Sequence, residues 1–265
     1  MTHVAASIVS TGEGDKIRAC LQSLADQRFD GRLTVVVVVN GVDDGTADVT
    51  RELFPAAHIL HRTSPLGFAE NHVDALATTS FDFGLVLNPD VVLTPSCIAE
   101  LIDAMRRHED AGVVVPLLSY PSGLPQPSAR RFPRISGTIL RRTPLRRMMG
   151  DRIARMAHFL PPPTQDRAID WALGACLFVR NAAWQETGGF DPGFRPLYVE
   201  DIDLAWRMWN AGWAVWQTPA AQAMHEHQAA TDKTFFDRRT LWHLHGMLRF
   251  VRKHPRILIS SSHGR

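Results

Sequence analysis

Cysteine is scarce in this chain: three residues in 265, at positions 20, 97 and 176, with neither metal-ligand spacing nor the pattern of a disulfide framework. That excludes a small stapled scaffold and fits a reducing, cytoplasmic compartment. Cys176 lies in an apolar run and reads as a small buried residue. Long apolar runs are missing as well. The longest, Leu33 to Val39, is strand-sized, whereas a membrane-crossing helix needs ~18–20 such residues. The N-terminus lacks the basic start and apolar stretch of a signal peptide. Nor does one sign of charge dominate: 29 Lys and Arg against 27 Asp and Glu leave +2, which points to no partner by itself. No internal repeat and no low-complexity tract is present. The expectation is a soluble, cytoplasmic body able to touch the inner face of the cell membrane peripherally, and long enough to bury a substantial core.

What is present first is alternation. Ala5–Ser10 reads as a buried strand, and Ile17–Leu24 has helical spacing. Leu33–Val39 is a β-branched strand ending in Asn40-Gly41, a turn signal. Helix Asp48–Phe54, strand His58–His61, helix Asn71–Thr78, strand Phe83–Leu87, helix Pro95–His108 and strand Val113–Leu117 follow. About 120 residues of strand and helix in turn predict an α/β fold whose parallel sheet is covered on both faces. Ligands in such sheets sit beyond the carboxyl ends of strands, here Gly12–Gly14, Asn40–Thr46 and Asn88–Asp90. Beyond Tyr120 the pattern changes. Nine arginines between Arg130 and Arg155 face one acid, Asp151, and Pro161-Pro162-Pro163 marks an extended linker. Asp170–Val179 resumes an apolar strand, Asp201–Ala211 is a helix, Trp213–Thr218 a strand, and Phe235–His254 a basic amphipathic helix. Three parts are expected: 1–120, 121–234 and 235–265.

Four constellations carry chemistry. Leu85-Val86-Leu87-Asn88-Pro89-Asp90 is a strand releasing a carboxylate at its end. A hard divalent cation, Mg²⁺ or Mn²⁺, takes such a carboxylate together with substrate phosphates, although Asn-Pro-Asp is also a common turn. Glu200-Asp201-Ile202-Asp203 opens a helix, where acids serve as caps. Three acids in four positions exceed that need, and a helix N-terminus keeps a carboxylate ionised for general-base work. In Met224-His225-Glu226-His227 an extended chain puts both histidines on one face. Two do not make a zinc site, so one histidine joining Asp90 on a shared cation competes with a plain polar edge strand. Asn40–Thr46, with Asp43 and Asp44, is either a nucleoside-reading loop or an ordinary turn.

Taken in order, these pieces resemble the family 2 glycosyltransferases of the GT-A fold, especially the rhamnosyltransferase-like branch. Val35–Thr46, Leu66-Gly67-Phe68-Ala69-Glu70-Asn71, Asn88-Pro89-Asp90 and the block Asp170–Trp213 carry the likeness, which runs from about Ala5 to about His254. The resemblance implies a Rossmann-like nucleotide half with a mostly parallel sheet, merged with an acceptor half. It implies Asp201 as catalytic base beside Glu200, and Asp90 with His225 as metal ligands. Nucleotide contacts fall on Ser10, Thr11, Asn40, Gly41, Asp43, Asp44, Gly67, Phe68, Asn71 and Asn88. Acceptor contacts fall on Trp171, Gly174, Ala175 and Asp203. Two departures stand out: Val39 occupies the position where the family has an Asp contacting the base, and Asn88 opens the metal motif.

The implied reaction is an inverting, metal-dependent transfer of a sugar, rhamnose being the one the branch suggests. It runs from a nucleoside diphosphate sugar to a hydroxyl of a glycan or polyprenyl-diphosphate-linked acceptor. Trp171 and Trp206 are candidates to supply stacking faces for a sugar, although Trp206, on the helix after the acids, reads rather as a core ring. The arginine-rich segment and the C-terminal helix read as a surface for anionic lipid or for the acceptor's diphosphate. No nucleic-acid-binding module accompanies the charge, so nucleic acid is not expected as a partner. Two rivals are a catalytically silent nucleotide-sugar-binding protein and a nucleotidyltransferase. The second lacks a convincing triphosphate loop, since Gly12-Glu13-Gly14-Asp15-Lys16 is a poor one.

Overall fold

The computed structural model describes residues 1–132, 159–226 and 238–258. Most of the arginine-rich segment, and His227, lie outside the described residues. The first half alternates as the sequence predicts: β1 (Thr2–Ser10), α1 (Gly14–Ala25), β2 (Gly31–Asn40), α2 (Thr46–Leu53), β3 (His58–Arg62), α3 (Phe68–Ala77), β4 (Phe83–Leu87), β5 (Val91–Leu93), α4 (Cys97–Arg107) and β6 (Ala111–Ser119). Then come the short β7 (Ala129–Arg130), β8 (Arg167–Ile169) and β9 (Trp171–Ala172), β10 (Cys176–Arg180), α5 (Asn181–Thr187), α6 (Glu200–Asn210), β11 (Ala214–His225) and α7 (Arg238–Lys253).

Among the described residues nine strands make one sheet, in the order β3-β2-β1-β4-β10-β6-β11-β5, with β8 also paired to β11. The valine run Val35–Val39 of β2, one strand in from the β3 edge, is almost fully buried because residues of alternating parity meet opposite layers. On β1, Val4, Ala6 and Ile8 face the core under α1 and α4, whereas Ala5 faces a second core. That second core takes Leu76 of α3, Trp184 of α5, Trp206 of α6 and Phe250 of α7.

The sheet is mixed rather than wholly parallel. β1 to β4 run parallel, but β10 lies antiparallel to both β4 and β6. A strand returning from the second half needs no crossover helix to pair in this way. β11 shifts register between Thr218 and Gln222, so its first part pairs β8 and its last part, Ala223–His225, pairs β5. His225 is therefore flanked by strands, not on an edge.

Asp170–Val179 is not one strand. Trp171–Ala172 pairs with Ala129–Arg130 in a separate two-stranded sheet, the chain breaks at Leu173–Ala175, and Cys176 enters the main sheet. The break sets Gly174 and Ala175 at the sheet's carboxyl end, between β4 and α6.

Candidate active site

The parallel strands β2, β1 and β4 end side by side at Asn40, Ser10 and Leu87, with Asn88 next in chain, and the strand order reverses between β1 and β4. A crevice at such a point is where α/β sheets take nucleotides. Asn40 is buried and ties two loops together: its Nδ2 donates to Thr11 Oγ1 at 3.2 Å and to the Leu66 carbonyl at 3.1 Å, while its Oδ1 accepts from Leu66 N–H at 2.8 Å. Asn71 Nδ2 donates to the same Leu66 carbonyl, at 3.2 Å. Ser10 Oγ lies 3.0 Å from Thr46 Oγ1.

Asp43 and Asp44 are engaged by the backbone of their own loop. Asp43 Oδ1 accepts from Gly45 N–H, at 3.1 Å, as in an Asx turn. Asp44 accepts from Gly14 N–H at 2.6 Å and from the Thr46 hydroxyl at 2.6 Å, pinning the first loop to the second. Burial is the largest single influence and pushes the Asp44 carboxyl up, but these bonds together outweigh it and hold the group below its usual value. Gly41 has φ of +113°, open to glycine at that turn.

Two consecutive residues link the end of β4 to the start of α6. Asn88 N–H donates to the Ala175 carbonyl at 2.9 Å, and Gly174 N–H donates to Asp201 Oδ2 at 3.2 Å. Gly174 is wedged between the Phe68 ring and the Asp201 side chain, 3.4 and 3.8 Å from where its Cβ would be. Phe68 N–H in turn donates to the Pro196 carbonyl at 3.0 Å. Asn88, Phe68, Gly174 and Asp201 are thus brought together, although they come from four separate stretches of sequence.

At the start of α6 Glu200 is buried and Asp201 half-buried, and the two differ in their partners. Asp201 accepts from Gly174 N–H and, at 2.8 Å, from Ile202 N–H, with Arg130 adding positive potential. Glu200 Oε2 is buried with no hydrogen bond. Burial raises both carboxyls, and the neighbouring Asp201 charge raises Glu200 further. When two such groups compete, the one with more donors keeps the charge. Glu200 is raised further than Asp201, so Asp201 is the member that ionises more readily. The turn before them is tight: Tyr198 and Val199 have φ of 85° and 78°. A β-branched residue in that region marks a constrained backbone.

Asp90 and His225 form the other pole. His225 Nε2 lies 3.3 Å from Asp90 Oδ1, and Nδ1 donates to Gln126 Oε1 at 2.9 Å. With the Nδ1 proton committed to Gln126, Nε2 turns a lone pair or a second proton toward the carboxylate. Asp90 Oδ1 is buried, and its side-chain contact is the 3.3 Å approach of His225 Nε2. Burial would raise the Asp90 carboxyl, yet His225 and the Lys16 ammonium outweigh it and hold the group below its usual value. One carboxylate oxygen and one oriented imidazole nitrogen fit a divalent cation whose other ligands are phosphate oxygens and water. Among the described residues no cluster of three or more His, Cys, Asp or Glu side chains forms a complete metal cage.

Two acceptor-side expectations need correction. Asp203 is fully buried, and its carboxylate is taken by Arg207 at 2.7 Å, His254 at 2.8 Å and Lys253 at 2.9 Å. Two residues on from Asp201 it faces the other side of the helix, so it anchors α7 instead of an acceptor. Trp171 is also buried, its Nε1–H donates to the Arg131 carbonyl, and the Arg130 guanidinium lies 5.0 Å from its ring centroid. The face expected to stack on a sugar is occupied by a cation. Trp206 is a core ring, edge-on to Phe132 and Phe250.

Asp203→Ala is expected to destabilise the fold by about 3–5 kcal/mol, since it strands buried cations. Burial raises this carboxyl, but His254, Arg207 and Lys253 hold it below the usual range. Its contribution is therefore present at neutral pH and fades as pH falls through the lowered folded-state pKa. Urea melts of wild type and variant from pH 7 downward measure this. Equal midpoints at pH 7 would remove the clamp.

Gln126 and Arg130 carry no motif, and sequence reading passes over Gln126 entirely. Only their arrival beside His225 and Asp201 reveals them.

A mixed sheet covered on both faces, with a nucleotide-type crevice continued by a carboxylate-bearing helix, defines a GT-A glycosyltransferase fold. Within that class the chain belongs to the glycosyltransferase-like family 2, whose profile matches residues 2–243. It is 31% identical over 234 residues, 80% of this chain and 71% of the other, to the N-acetylglucosaminyl-diphospho-decaprenol L-rhamnosyltransferase of Mycobacterium tuberculosis. It is 28% identical over 173 residues to the rhamnosyltransferase WbbL of Escherichia coli, covering 64% of this chain and 61% of that one. Among solved structures, GalNAc-T7 with UDP, GalNAc and Mn²⁺ superposes with a TM-score of 0.71 at 12% identity, covering 95% of this chain. This chain spans 48% of that one, under half its length.

Proposed function

We propose that this glycosyltransferase moves a sugar, rhamnose in the first instance, from a nucleoside diphosphate to a hydroxyl of a lipid-linked glycan acceptor, with inversion and dependence on a divalent metal. The observation that carries the reading is the convergence of Asp90 and Asp201 through Asn88, Ala175 and Gly174. The M. tuberculosis relative is named for a decaprenyl-diphosphate-linked acceptor and for rhamnose, which supplies the substrate class.

In this mechanism the crevice residues Ser10, Thr11, Asn40, Gly41, Gly67, Phe68, Asn71 and Asn88 shape the nucleotide pocket. Asp201 accepts the acceptor's hydroxyl proton as the acceptor oxygen bonds to the anomeric carbon and the bond to the diphosphate breaks. One displacement inverts that carbon. Glu200, kept neutral, leaves a single negative charge in the pair. Gly174 N–H and Arg130 hold Asp201 ionised and aimed. A divalent cation held by Asp90 and His225 would supply charge neutralisation on the departing diphosphate. Gln126 fixes the imidazole that holds it. Residues 1–120 serve the donor and 121–234 the acceptor.

Among the described residues no helix is long and apolar enough to cross a membrane. We place the working site at the inner membrane surface, where a polyprenyl-linked acceptor is reached peripherally.

The test is a panel of nucleoside diphosphate sugars, with and without Mg²⁺ or Mn²⁺, offered with a polyprenyl-diphosphate-linked amino sugar. Metal-dependent nucleoside diphosphate release and an inverted anomeric product are expected. Pyrophosphate release from a nucleoside triphosphate would instead select a nucleotidyltransferase. Donor binding without any turnover would select a silent binding protein.

A further inference from the structure

Helix α7 has two apolar faces where a surface helix ordinarily needs one. The inner face packs: Phe250 is fully buried, and Gly246 comes so close to the main chain that an added Cβ would meet Tyr198 O and the Val199 side chain at 2.9 Å each. The outer face carries Leu241, Leu244 and Leu248, which are 66%, 45% and 49% exposed. Their spacing of three and four residues makes one continuous stripe. Arg252, four residues beyond Leu248, is exposed on the same side and has no ion-pair or hydrogen-bond partner among the described residues.

We infer that this stripe is a docking face for an anionic lipid surface, an assignment that rests on the proposed lipid-linked acceptor. Charge selects the occupant. From Arg238 to Arg256 the chain has six Lys and Arg and no Asp or Glu; Arg249 and Lys253 are paired with Asp191 and Asp203, and Arg252 lies on the stripe itself. A second copy laid on the stripe would bring like charge against like charge. Three leucines on one helix also cover far less than the roughly 800 Å² per partner of a stable protein interface. An apolar stripe edged by basic groups is instead the pattern that settles at a headgroup boundary, where leucines enter the acyl region and cations meet lipid phosphates.

The placement also serves the site. The inner face of α7 rests on Tyr198–Val199, the turn that leads directly into Glu200 and Asp201. A helix is about 10 Å across, so a bilayer on the outer face lies roughly one helix diameter from that turn. Lys253 and Arg249 pin α7 to Asp191, and Lys253 and His254 pin the same stretch to Asp203. The face is presented rigidly.

The test is flotation of the full chain with vesicles of phosphatidylglycerol and phosphatidylethanolamine, against vesicles of phosphatidylcholine alone. Wild type is expected to float with the anionic vesicles and to be released by salt. Combining Leu241→Gln, Leu244→Gln and Leu248→Gln should weaken partition about a hundredfold, the scale of several leucine side chains leaving apolar surroundings. Arg252→Glu should weaken it several-fold on anionic vesicles. Because these side chains are exposed, melting temperature and turnover of a water-soluble acceptor should stay near wild type. Absence of wild-type flotation, or flotation of the triple variant equal to wild type, overturns the proposal. So does a wild-type dimer that the triple variant converts to monomer, which would assign the stripe to a second copy. Flotation is read without donor or acceptor, so failure of the proposed reaction would show in the sugar panel and failure of docking in the gradient.

Discussion

Asp201→Asn is expected to lower transfer about 10²–10⁴-fold, the range that a positioned general base contributes, while donor binding stays near wild type. The substitution keeps the volume and one accepting oxygen, so the bond from Gly174 N–H at 3.2 Å can persist while the one from Ile202 N–H at 2.8 Å is lost, a local cost that leaves the turn in place. It removes the one oxyanion in the pair, and Glu200 is poorly placed to replace it. Burial and the charge of Asp201 raise the Glu200 carboxyl well above its ordinary value, and its Oε2 has no donor to stabilise a charge. With Asp201 neutral by substitution, Glu200 loses the repulsion of its neighbour but keeps the burial cost. Glu200→Gln should therefore be much milder than Asp201→Asn, because it substitutes one neutral side chain for another. The pH dependence has a definite sign. Burial raises Asp201, so kcat/KM should fall on the acid side at a pH above the ordinary carboxylate range, as the base takes up its proton. The measurements are product formation and donor binding for the two variants, with wild-type pH profiles. Near-wild-type transfer by Asp201→Asn would remove the base assignment. Equal losses at positions 200 and 201 would mean that the pair acts as one unit.

Much of the fold can be read in the sequence because its first half obeys local rules. Five consecutive valines can only be a strand covered on both faces, and helical spacing around Ile17 and Leu24 finds α1 within a few residues. The second half depends on partners far along the chain. β10 is apolar in either orientation, and its insertion between β4 and β6 depends on where the chain returns. The break at Leu173–Ala175 leaves no local mark beyond one glycine. Asp203 shows the same limit at a site. Three acids at a helix start look alike until Lys253 and His254, fifty residues later, arrive on one of them. Trp171 looks available for stacking until Arg130 is placed against it. The carboxylates Asp90 and Asp201 are legible because each sits at an element end, where orphan backbone groups and ligands meet. Their supporting residues, Gln126 and Arg130, sit at no such landmark.

Asp90→Ala is expected to abolish the metal dependence of donor binding, a larger loss than the roughly 10–100-fold in metal affinity that accompanies removal of an outer-shell partner. Gln126→Leu supplies that smaller loss as an internal comparison: it frees the Nδ1 proton from its partner and lets the His225 ring turn. Stability separates a site role from a structural one. In the metal-free fold the Asp90 carboxylate has one long side-chain contact, His225 Nε2 at 3.3 Å, so its contribution there is small beside that of Asp203 with its three cations. Deleting the carboxylate should leave metal-free stability within about 1 kcal/mol of wild type, unlike Asp203→Ala, which strands its cations. Added Mn²⁺ with nucleoside diphosphate should then raise the melting temperature of wild type and leave Asp90→Ala unmoved, since only a ligand bound to the folded state stabilises it. Calorimetric titration of metal and nucleotide into both proteins gives the affinities directly. An Asp90→Ala protein that keeps the wild-type metal response would take the metal away from this carboxylate. A variant that melts early without metal would make Asp90 a structural residue instead.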